Sequence, residues 1–90
     1  MNFTKHASSR CQQRAISPML IDLLLQFGSS EKAGSGACKI FFDKADRRRV
    51  KAYAGTFARL LDEHLDLYAV VGEDGQIITV GHRLERIQRH

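Results

Sequence analysis

The stretch LYAVVGEDGQIITVGHR, residues 67–83, decides the fold of this chain. Leu67–Val71 and residues 76–80 are rich in the β-branched and aromatic residues that favour strands. Between them, Asp74-Gly75 supplies the positive φ angles that a tight turn needs. The pattern therefore predicts an antiparallel hairpin near the end of the chain.

Upstream of the hairpin, ACKIFF at residues 37–42 is short and apolar, which predicts a further strand. Residues 43–65 predict either a third helix, with Gly55 as a possible point of interruption, or an irregular crossover. The polar, glycine-rich stretch GSSEKAGSG at residues 28–36 predicts a flexible loop. The apolar residues of the third helix recur at the helical period and predict one core-facing stripe, namely Val50, Tyr53, Ala54, Phe57, Leu60 and Leu61.

Two helices are predicted before the first strand. Residues 5–15 form the first, because the Thr4 hydroxyl can accept a hydrogen bond from a backbone N–H at its start. Small apolar residues spaced by four predict the side that faces the core, namely Ala7, Cys11 and Ala15.

The second helix has clear start and stop signals. Ser17 is an N-cap residue, Pro18 suits the first helical position, and Gly28 fits the end. Because the residues between them are almost all apolar, we expect this helix to be mostly buried, against a sheet.

The order of elements predicts a single α+β domain over residues 1–90, with two N-terminal helices and a further helix on a small, mainly antiparallel sheet of about three or four strands. The tail LERIQRH is predicted to add a short helix. No signal peptide or membrane-spanning run is present, so we expect a cytoplasmic protein with no membrane contact. Its two cysteines are expected to be reduced packing residues.

The chain is basic, with a formal net charge of +4 and a pI near 9.4. This balance favours an anionic partner such as RNA, DNA or an acidic protein. The cations are concentrated in three segments, residues 1–16, 44–51 and 83–90. In the second segment Arg47 and Arg48 are candidate phosphate contacts, or else a solvated helix face.

His6, Arg10 and Arg14 are spaced by four and share one face of the predicted first helix, while His82 and Arg83 follow the predicted hairpin. Metal-free RNA cleavage needs a base, an acid and cations on the phosphate. Histidine titrates in the range that both proton transfers require, and arginine matches the geometry of phosphate oxygens. We therefore predict that His6 and His82 are catalytic and that the three arginines bind RNA, with no metal and no cofactor.

The opening FTKHASSRCQQRAIS and the closing IITVGH, residues 3–17 and 77–82, resemble domain-of-unknown-function family 4258, a family of small bacterial domains. The matching positions near the start are His6, Ala7, Arg10, Arg14, Ala15, Ile16 and Ser17. The two ends cover about a third of the chain, and Ala15 and Gly81 replace the family's usual glycine and aromatic residue. Gly81 also predicts a bulge in the last strand.

This family is similar to the RelE-like toxins, which are small basic α+β proteins. Many of them cleave messenger RNA, often on the ribosome, and an antitoxin covers their basic groove. The resemblance thus implies an endoribonuclease with RNA or the ribosome as substrate and an antitoxin as partner, and it makes His6, Arg10 and Arg14 motif residues.

Two other readings stay open at this point. The same fold can be a non-catalytic module or regulator that holds nucleic acid or an acidic protein on its basic face. Alternatively, His6, Arg10 and Arg14 can brace the fold by bonding carboxylates such as Asp43 or backbone carbonyls at strand ends. The oligomeric state is predicted as a monomer or as a homodimer through an exposed edge strand.

Overall fold

The predicted hairpin forms one side of the sheet in a computed structural model, which describes residues 3–82. Its strands are β3, Leu67–Val71, and β4, Ile77–His82, and they pair antiparallel. In the turn, Gly75 has φ +85° and its N–H donates to the Gly72 carbonyl at 3.0 Å. The turn therefore needs a positive φ at Gly75 alone, and not at Asp74. Arg83 and the predicted tail helix lie outside the described residues.

The sheet has four strands in the order β1-β2-β3-β4, all antiparallel. β1 is Ser29–Gly34 and β2 is Ala37–Phe41. The prediction of a loop over residues 28–36 is therefore wrong for most of that stretch. β1 is an edge strand that is exposed along nearly its whole length, so it needs no apolar side chains, and the periodicity that reveals buried strands is missing from it.

The first two helices begin as predicted. In α1, Lys5–Gln13, the Thr4 hydroxyl accepts from the Ala7 N–H at 3.2 Å. In α2, Pro18–Phe27, the hydroxyl of Ser17 caps the first turn. α1 ends two residues earlier than predicted, because Ala15 has φ +54° and is exposed, so the core-facing stripe stops at the half-buried Cys11.

The third helical pattern is divided into pieces. α3 spans Lys44–Ala54 and α4 spans Ala58–Leu61, with single 3₁₀ turns after each. Gly55 ends α3 with φ +61°, which confirms the interruption expected there. Within residues 3–82, no helix has the length and apolar character to cross a membrane.

The core lies on one face of the sheet. Ala7 of α1 and Leu24 of α2 are buried against strand residues such as Leu67 and Ala69. α3 packs against α2, and of the residues in the predicted third stripe only Val50 is buried. The stripe prediction is wrong for three large side chains, which are exposed, namely Tyr53, Phe57 and Leu60. The prediction for α2 is also only partly right, since Met19 and Leu25 are exposed.

Residues 3 and 4 cover part of the outer edge of β4. Phe3 forms a parallel bridge with Ile77, and the Thr4 N–H donates to the Ile77 carbonyl at 3.0 Å. The Thr4 hydroxyl also donates to the Ile78 carbonyl at 3.2 Å. α1 therefore starts beside the first residues of β4 and packs against that strand.

One buried carboxylate joins three elements. Asp46, which is 1% exposed, accepts from the Ser29 hydroxyl of β1 at 2.6 Å and from the Asp43 N–H at 3.0 Å. Its own N–H donates to the Asp43 side chain at 2.8 Å, which completes a capping box and lowers the pKa of Asp43. Arg49 binds the other Asp46 oxygen and donates to the Phe27 carbonyl at the end of α2.

Asp46→Ala is expected to lower the free energy of unfolding by about 2–4 kcal/mol, because it removes the capping box and a buried carboxylate that accepts from Ser29, Asp43 and Arg49. Glu63→Ala, an exposed acid in the same connection, is the matched control and is expected to change it by less than about 0.5 kcal/mol. Urea unfolding of both variants measures the difference. Equal stability of the two variants would contradict a structural role for the Asp46 network.

Candidate functional site

His82 and Asp66 form a hydrogen-bonded pair at one end of the β3–β4 hairpin. In the β3–β4 register Leu67 lies opposite His82, which brings His82 next to the residue before Leu67. His82 Nδ1 lies 3.0 Å from Asp66 Oδ1. The side chain of His82 is 35% exposed and that of Asp66 is 15% exposed, so the histidine is accessible while its partner is largely covered.

The pair has the geometry of an oriented acid–base group. A carboxylate that accepts from Nδ1–H fixes the tautomer of the imidazole and leaves Nε2 to accept or donate a proton. It also stabilises the imidazolium that forms when Nε2 takes a proton. The arrangement therefore suits His82 to general acid–base chemistry.

The other predicted catalytic histidine has a different partner. Arg10 Nε donates to His6 Nε2 at 3.4 Å, and His6 is exposed while Arg10 is half-buried. His6 comes two residues after Thr4, which is bonded to the start of β4, whereas His82 is the last residue of that strand. The two ends of β4 are about 16 Å apart. Within the described residues, no hydrogen bond or ion pair joins the two histidines.

Arg14 lies one helical turn after Arg10, at the end of α1. It is the C-cap residue of α1, and its backbone N–H donates to the Arg10 carbonyl at 3.0 Å. By register, the His82 side chain shares the face of the sheet on which Leu67 and α1 lie. The cations of α1 and His82 are thus on the same side of the sheet.

The three consecutive arginines of α3 have three different environments. Arg49 is bound to the buried Asp46, and so contributes to the fold. Lys51 Nζ lies 2.6 Å from Asp62 Oδ1 and lowers the pKa of that carboxyl. Arg47 is half-buried, and its charge lowers the same pKa further. Arg48 is exposed and makes no ion pair with a described residue, which leaves it available to an anion.

Gly81 provides the space for an aromatic ring on the opposite face of the sheet. A Cβ on Gly81 would lie about 3.0 Å from the ring of Tyr68, its cross-strand partner. Lys39 Nζ lies 5.0 Å from the centroid of the same ring. Gly81 pairs regularly, and the register shift is at Val70/Val71, so the prediction of a bulge at Gly81 is wrong.

Sequence reasoning missed Asp66, which it treated only as one of several clustered acids. The signal was nevertheless present in the sequence, because counting across the predicted hairpin pairs residue 67 with residue 82. It also missed Asp46, whose contact with Ser29, seventeen residues earlier, no local pattern predicts.

Comparison with models of known protein families, with curated proteins and with solved structures found no significant match. The resemblance to family 4258 therefore stays a prediction from the quoted residues at the two ends of the chain. The features of the molecule that bear on function are therefore the geometry of the His82–Asp66 pair and the cations of α1 on the same side of the sheet.

When His82 is neutral, its proton is expected on Nδ1, because Asp66 accepts it. ¹⁵N NMR of the imidazole nitrogens measures this directly, and Asp66→Ala is expected to abolish the preference. Asp62→Ala, at an exposed acid that contacts Lys51 instead, is the control and should leave His82 unchanged. An Nε2–H tautomer in the unmodified protein would contradict the proposed orientation of the ring.

Proposed function

We propose that this chain is a RelE-like, RNA-directed protein in which His82, oriented by Asp66, is the acid–base group of a metal-free endoribonuclease. The observation that carries the proposal is the 3.0 Å contact between His82 Nδ1 and Asp66 Oδ1 in a half-exposed position of a basic domain. A histidine oriented in this way by a carboxylate is suited to general base catalysis.

The proposed step needs only groups of the protein, the RNA and solvent. His82 Nε2 takes the proton of a 2′-hydroxyl while that oxygen attacks the adjacent phosphorus. The bond from phosphorus to the 5′-oxygen breaks, and the 5′-oxygen takes a proton from solvent. The products are a 2′,3′-cyclic phosphate and a 5′-hydroxyl, and His82 returns its proton to solvent.

The cations of α1 support the proposal because they lie on the same side of the sheet as His82. Arg10 and Arg14 are on the helix that packs against β4, and guanidinium groups suit the crowded phosphate of the transition state. Because His6 Nε2 accepts from Arg10, we assign His6 the positioning of that guanidinium. This differs from the catalytic role predicted for His6 from sequence.

Action on messenger RNA implies a cytoplasmic location and makes free RNA or the ribosome the partner. A basic surface that cleaves RNA also calls for an acidic protein partner, such as an antitoxin, to cover it. These partners follow from the proposed activity and share its test.

A second candidate is non-catalytic binding of nucleic acid through the same basic surface. It is favoured by one observation, namely that among the described residues Asp66 is the one titratable side chain that makes a hydrogen bond or ion pair with His82. Such a module would use Arg10, Arg14 and Arg48 for phosphates and would leave the RNA intact.

Purified protein with a short RNA, and with ribosomes carrying messenger RNA, tests the proposal. We expect cleavage that resists EDTA, is absent on 2′-deoxy substrate, and falls about 10²–10⁴-fold in His82→Asn. His64→Asn, at an exposed histidine without a described ion pair, is the matched control and should cleave normally. Melting temperatures establish that each variant folds.

Equal cleavage by His82→Asn and the unmodified protein would contradict the catalytic role. Intact RNA with salt-sensitive binding that weakens in Arg10→Ala and Arg14→Ala would favour the second candidate instead. If the protein neither cleaves RNA nor binds it in a salt-sensitive way, with free RNA and with ribosomes, both candidate functions are rejected.

A further inference from the structure

We draw no further inference here: the strongest candidate, the apolar groove that Met19, Tyr53 and Phe57 line between α2 and the α3–α4 segment, carries none because nothing in the structure shows what covers it.

Discussion

The antiparallel register of β3 and β4 is the constraint on which the rest of the structure depends. It places Leu67 opposite His82, and so brings Asp66 to the imidazole. It also places Gly81 beneath the ring of Tyr68 on the other face. Because successive residues of a strand point to opposite faces, a slip by one position would move His82 away from α1 and bury polar groups in the core.

Asp46 is the second constraint, and it acts on the helices. Its buried carboxylate holds Ser29 of the edge strand, the start of α3 and, through Arg49, the end of α2. Burying a charged group has a desolvation cost, which is offset only when its hydrogen bonds are complete. Here its contacts hold α3 beside α2, with Val50 in the core and Tyr53 exposed.

Much of the fold is encoded in local signals that the sequence displays. Thr4, Ser17 and Gly55 act through their own backbone neighbours, so their roles could be predicted correctly. β1 could not be predicted, because an exposed edge strand is stabilised by its neighbour and not by a pattern of its own. The spacing of Tyr53, Phe57 and Leu60 established that they share a side of the helix, but not what covers that side.

The candidate site also combines contacts that the sequence predicts with contacts that depend on tertiary packing. The contact between His6 and Arg10 follows from helical spacing, and the contact between His82 and Asp66 follows from counting across a hairpin. Whether the two histidines meet depends on how α1 lies on β4, which is a tertiary property that no spacing in the sequence determines. The structure gives each histidine its own partner, and this makes His82 the centre of the functional account.

The most direct test of that account is an amide chemical-shift map of the ¹⁵N-labelled protein with a 2′-O-methyl RNA of about eight nucleotides, which binds without being cleaved. The account predicts saturable, salt-sensitive shifts at Asp66, Leu67, Gly81 and His82, together with shifts around Arg10 and Arg14. Shifts confined to residues elsewhere, or none at saturating RNA, would contradict the placement of RNA at the His82–Asp66 pair.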